Sequence, residues 1–248
     1  MLVRKKRMRS HSEDRHLALT MATTAGMLNT MALCAFGIFP SHMSGNTSQI
    51  PAEVFSSNFS KLTLLIGLIA AFLAGCTMAR LITLLGEMLK IRTIFCIILI
   101  LEGVILATAS LFESLFYSPL HNSGLLATMA FMMGLHNTTS TQLSNGRVRS
   151  THITGTITDV GIALGTYIWS FIIPKTLCNR YFAYKQLCTH LITIVCFLSG
   201  CITGMLLFKG YAFRAMLAIA IILIIYATTA IVMTLHNVRN FKKRSTIT

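Results

Sequence analysis

The chain has 248 residues, 54% of them hydrophobic and 11% charged, with a net charge of +14 and a mean hydropathy of +0.70. That composition excludes an ordinary soluble domain. The positive charge falls between apolar stretches, so it argues for membrane topology rather than nucleic-acid binding. Alternating ten-residue strand patterns are absent, which points to an all-α polytopic transmembrane helical bundle rather than a barrel.

Residues 1–16 form a basic segment in which Arg4-Lys5-Lys6-Arg7 and Arg9 precede the first apolar span. No cleavage signal follows, so the first helix is expected to stay, and the cluster suits anionic lipid headgroups. A hydrocarbon core of about 30 Å takes roughly 20 helical residues. In chain order the windows that meet this are Leu17 to Pro40, Leu62 to Ala79, Thr93 to Phe112, Leu120 to Leu143, Thr189 to Phe208 and Ala215 to Val238. Residues 17–113 and 114–238 are read as two membrane repeats of three spans each, followed by a basic tail at 239–248.

The repeats are marked by two polar knots, Ser41-His42-Met43-Ser44-Gly45-Asn46-Thr47 and Thr151-His152-Ile153-Thr154-Gly155-Thr156-Ile157-Thr158. Gly26-Met27-Leu28-Asn29-Thr30 precedes the first and Gly134-Leu135-His136-Asn137-Thr138 the second. The Gly of each leader stands 19 and 21 residues before its knot Gly. Leu73-Ala74-Gly75-Cys76 then recurs as Leu198-Ser199-Gly200-Cys201. Three elements in the same order indicate a duplicated half rather than chance.

Thr151 to Pro174 is apolar enough to cross but carries Asp159. If it does not span, 18 basic residues lie on the cytoplasmic side and three outside; if it does, the split is 13 to eight. The positive-inside bias favours six spans, cytoplasmic termini and a half-entering or interfacial 151–174, like the short Ser48 to Ser60. Three spans per half then make the repeat inverted, with the knots on opposite sides.

Chain that leaves the helix at membrane depth must be buried or face a water-filled cavity. Paired broken helices in two inverted halves point to a transporter's central site. Ser44, Thr47, Thr154 and Thr158 could cap the following helices, and mere capping is the competing reading. If the second short helix begins after Gly155, the helix dipole favours Asp159 in its first turn. Glu102 is the one carboxylate in the middle of a span; His136, Asn137 or Arg80 could be its partner. Gly67, Ala71 and Gly75, and Gly200 and Gly204, are expected to pack helix on helix. Five of the seven cysteines, Cys34 among them, fall inside apolar spans as small hydrophobes, and two histidines without a third ligand define no metal site.

These knots, with Ala130-Phe131-Met132-Met133-Gly134-Leu135-His136-Asn137, resemble the YoaK family of bacterial membrane proteins across about Leu17 to Val238. The resemblance implies an inner-membrane location and an architecture, but no established substrate. Many relatives carry Asp where this chain has Asn29. If that Asp takes a proton or cation, this chain has lost the coupling or moved it to Glu102.

The expectation is a small-solute transporter or permease working by alternating access, with no cofactor and an unidentified solute. Asn29, Ser44, Gly45, Asn46, Thr47, His136, Asn137, Thr154, Gly155 and Thr156 are its candidate substrate-binding residues, and Glu102 and Asp159 its candidates for proton or ion coupling. The alternative is a non-transporting protein, lipid-binding or an assembly factor, whose knots only cap helices. An enzyme is disfavoured because no nucleophile and base pair up, and homo-oligomerisation is left open.

Overall fold

The structure is a computed structural model that describes residues 11–116, 118, 122–172 and 179–245. The basic cluster before His11, Cys178 and the end of the expected 151–174 segment lie outside the described residues. These fold into α1 (His11–Phe36), α2 (Met43–Phe55), α3 (Phe59–Met88), α4 (Ile94–Phe116), α5 (Asn122–Ser144), α6 (Ile153–Trp169), α7 (Arg180–Tyr211) and α8 (Phe213–Ser245).

Among the described residues, five helices are long and apolar enough to cross a membrane: α3 and α4, together with Arg15–Phe36 of α1, Arg180–Tyr211 of α7 and Phe213–His236 of α8. The sixth expected span, Leu120 to Leu143, becomes α5. Its 23 residues reach about 35 Å, but it is not among the apolar five. The reason is where its polar groups go: His136, Thr139, Ser140 and Ser144 are all fully buried in protein. Thr139 and Ser144 return their hydroxyls to the carbonyls of Leu135 and Ser140, which hides polarity inside the helix. The two short helices are shorter than a span. At 13 and 17 residues, α2 and α6 extend only about 20 and 26 Å.

The halves are interlocked. The first helix of each half packs on the third helix of the other, α1 on α7 and α5 on α3, while α4 lies against α8 and each short helix against the long helix that follows it. The α1–α7 and α5–α3 contacts are glycine crossings. A methyl group at Gly26 would overlap the carbonyl oxygen of Phe197, and one at Gly134 would overlap that of Phe72. In return, one at Gly75 would meet the carbonyl of Phe131, and one at Gly200 that of Thr23. Backbone touches backbone in both places, which only glycine permits. Gly204 likewise meets Met27, but Gly67 has nothing near it, so the expected packing stripe on α3 stops short of it.

The outer surface of this bundle is apolar. Only 22% of the apolar windows of α3 and α7 is buried against 61% in α1, so α1 is an inner helix while α3 and α7 present Leu73, Leu85 and Val195 outward. That surface is a lipid-facing one, as a multi-pass membrane protein requires. Cys34, expected to pack inside, is exposed.

Candidate functional site

Each knot is a reversal between a long helix and a short one. The first long helix of each half ends in left-handed backbone, at Gly37 (φ 73°) in one and at Asn145 (φ 53°) and Gly146 (φ 83°) in the other. The chain then turns back through His42 and His152, whose backbones are nearly the same, φ −86°, ψ 61° and φ −89°, ψ 65°. Each imidazole lies over the Gly three residues on, so Gly45 and Gly155 leave room for it. The short helices therefore start at Met43 and Ile153, before the glycines rather than after them.

This start overturns two expectations. No side chain caps either helix, because the hydroxyls of Thr47 and Thr158 turn back to the carbonyls of Met43 and Thr154 at 2.8 and 3.1 Å. Asp159, six residues past Ile153, lies beyond the first turn and gains nothing from the helix dipole there.

The knots are instead tied to the long helices before them by asparagine. Asn29 Oδ1 accepts hydrogen bonds from the backbone N–H of Ser41 at 3.3 Å and from its hydroxyl at 2.8 Å. Asn137 Oδ1 accepts from the backbone N–H of Thr151 at 3.4 Å. The two asparagines hold corresponding positions, as do Ser41 and Thr151. Because the chain is pinned by the asparagine rather than by a cap, the knot is held against the interior of the bundle.

Both knots open onto one cavity of about 770 Å³. Asn29, Ser41, His42 and Ser44 line it from the first half, and Asn137, Thr151, His152 and Thr154 from the second. Phe72 and Phe197 face it from near the midpoints of α3 and α7, so it reaches the middle of the bundle. No Asp, Glu, Lys or Arg among the described residues lines it. Of the expected substrate residues, Asn29, Ser44, Asn137 and Thr154 are on its wall; Gly45, Asn46, Thr47, Gly155 and Thr156, in the short helices, do not line it. Asn46 and Thr156 are buried, and Asn46 Nδ2 has no hydrogen-bond partner among the described residues.

A second cleft of about 580 Å³ is lined by Cys76, Thr77, Arg80 and Leu81 of α3 and by Asn137, Thr138, Thr141 and Gln142 of α5. All of these but Gln142 are the counterparts of residues that line the large cavity, Cys201, Ile202, Met205 and Leu206 of α7 and Asn29, Thr30 and Leu33 of α1. Even the thiols match, each beside a threonine hydroxyl, Thr138 for Cys76 and Thr30 for Cys201. The clefts differ in their outer walls. On the α3–α5 side Gln142 Oε1 accepts from Thr83 at 3.0 Å and from Arg80 at 3.4 Å, and Arg80 lies 3.7 Å from Glu87.

Glu102 and His136 stand apart from both clefts. Their side chains are 2.8 Å apart and buried, on α4 and α5, and the other imidazole nitrogen of His136 donates to the carbonyl of Met21 on α1 at 2.9 Å. Of the three candidate partners for Glu102 it is thus His136 that meets it, Arg80 being engaged elsewhere. Neither residue lines the large cavity, nor does Asp159. Sequence reasoning missed Ser41 and Thr151 as the tied residues, and Phe72 and Phe197 as the walls. Their signal was position, since both pairs recur with the repeat.

No curated protein and no solved structure matches the chain. The family described as "Protein of unknown function (DUF1275)" matches residues 17–229, nearly all of the helical bundle, and the chain belongs to that family.

Proposed function

We propose that this chain is a multi-pass inner-membrane carrier of a small solute that works by alternating access. In this reading α5 is the sixth span, shielded from lipid by its neighbours, and the termini are cytoplasmic. The two halves then sit inverted in the bilayer, with the large cavity on the outer side and the α3–α5 cleft on the inner side. The observation that carries the reading is that two clefts are lined by corresponding residues of the two halves and share Asn137. Interlocked halves that rock about their glycine crossings would close one cleft as the other widens. The hydrogen bonds from Thr83 and Arg80 to Gln142 would then tie α3 to α5 at the inner cleft.

Two native cysteines test this directly. In single-cysteine variants retaining only Cys201 or only Cys76, maleimide labelling is expected to change reciprocally, with conditions that protect one exposing the other. Labelling of both that never varies with state would leave a non-transporting membrane protein, lipid-binding or an assembly factor, as the better reading.

A further inference from the structure

The chemistry of the large cavity narrows what it would carry. Asn29 Oδ1 and Asn137 Oδ1 face backbone N–H groups, which can only donate, so the orientation of both amides is fixed without ambiguity. Each Oδ1 is committed to its knot. Each Nδ2 therefore points away from the knot, and neither makes a hydrogen bond among the described residues. Asn29 is 94% buried, its residue exposure being 6%, yet this donor remains unspent on the cavity wall. A free amide N–H on a cavity wall is a donor that a ligand acceptor can take up, and one such hydrogen bond is worth about 1 kcal/mol.

Much of the rest of the wall is apolar, with Phe72, Phe197, Leu198 and Ile202 among its residues; the polar groups beside the asparagines are hydroxyls and the rings of His42 and His152, and no Asp, Glu, Lys or Arg among the described residues lines it. A carboxylate, phosphate or ammonium would enter without the fixed counter-charge of an Asp, Glu, Lys or Arg, at a cost of several kcal/mol. That argues against a phospholipid headgroup as well as against ionic metabolites. The volume falls in the range of small-molecule sites.

From this we infer that the cavity binds an uncharged amphipathic organic solute whose carbonyl, ether or hydroxyl oxygen accepts from the Nδ2 groups of Asn29 and Asn137, its apolar part lying between Phe72 and Phe197. The inference deepens the carrier reading above and rests on it for the role of the site, though binding itself does not require transport.

The test uses the full chain in lipid nanodiscs with Cys201 as the only cysteine. Four probes of similar size are compared: benzamide, benzoate, benzylammonium and toluene. Benzamide is expected to slow maleimide labelling of Cys201, and the two charged probes are expected to leave it unchanged. N29D and N137D keep the acceptor oxygen that ties each knot but replace the free donor. Either is expected to weaken benzamide protection about fivefold, the loss of one uncharged hydrogen bond, and to let benzylammonium protect. Protection by benzoate or benzylammonium in the unmodified protein equal to that by benzamide would overturn the inference. So would equal protection by toluene, which would mark an acyl-chain site, or no protection by any probe. Unchanged benzamide protection in both Asp variants would overturn it too. If benzamide protects Cys201 but Cys76 and Cys201 never label reciprocally, the carrier reading fails and the binding inference stands. Reciprocal labelling without any preference for an acceptor-bearing probe does the reverse: the carrier reading stands and the binding inference fails.

Discussion

His136 Nδ1 lies 2.8 Å from Glu102 Oε2 in a fully buried pair that joins α5 to α4, while His136 Nε2 lies 2.9 Å from the carbonyl oxygen of Met21. A carbonyl cannot donate, so Nε2 carries a proton. One further proton then lies between Nδ1 and Oε2. The pair is either imidazolium with carboxylate or neutral imidazole with carboxylic acid, and carries no net charge in either form. That neutrality is how a carboxylate is accommodated within a membrane bundle.

The pair therefore predicts unequal substitutions. E102Q can donate its amide N–H to Nδ1 of a neutral His136 and is expected to stay within about 1 kcal/mol of the unmodified protein. E102A leaves the buried imidazole nitrogen unmatched and is expected to cost about 2–4 kcal/mol. The double variant E102L/H136L is expected to lose less than E102A, since both polar groups go together. Denaturant unfolding in detergent, followed by helical signal, reads all three; equal losses for E102Q and E102A would contradict this arrangement.

The glycine crossings predict a matched pair of defects and a clean control. G26A and G134A each force a methyl into a backbone carbonyl of the facing helix, Phe197 or Phe72, and are expected to destabilise by about 1–3 kcal/mol or more. G67A meets nothing within 4 Å and removes a helix-interior glycine, so it is expected to be neutral or stabilising by up to about 1 kcal/mol. Thermal unfolding of the three variants in one detergent provides the comparison. A G67A defect as large as that of G26A would show that the crossings are not where the constraint lies.

The knots, alike in backbone, differ in what ties them. Ser41 donates to Asn29 through both its N–H and its hydroxyl, whereas the bond from Thr151 to Asn137 uses the backbone N–H alone. S41A is thus expected to cost about 1 kcal/mol and T151A to cost nearly nothing. Hydrogen exchange at the start of α2 and α6 should loosen only in S41A. Loosening of both knots alike would mean that the Thr151 side chain matters in a way this geometry does not contain.

Whether α5 crosses the bilayer is checked by reporters on either side of it. With six spans, a reporter fused after Ser118 is expected to be periplasmic and one fused after Asn145 cytoplasmic. Reporters on the same side would make α5 a buried helix that does not cross, and would place the two clefts on one face of the membrane.

How much of this is legible in the residues alone varies by element. The apolar windows announce α1, α3, α4, α7 and α8 because a helix that crosses the hydrocarbon core needs roughly 20 mostly apolar residues. The short helices are legible as well, but their starts are not. Gly155 looks like a boundary, whereas it serves to seat the His152 ring within the first turn. The knot hydroxyls look like caps because Ser and Thr favour that role. Their actual partners, the carbonyls one turn back, are available to any helical Thr and leave no mark in the sequence.

Composition and spacing are local properties, and they suffice to mark a basic, lipid-embedded helical chain with two matched polar knots. That both knots meet across one cavity, that His136 answers Glu102 outside it, and that α1 packs on α7 and α5 on α3 emerge once the helices are assembled. The physical reason is that these relationships depend on which helix lies beside which. That neighbourhood is chosen by the glycines at the two crossings, where the backbones come within contact and set the knots against each other.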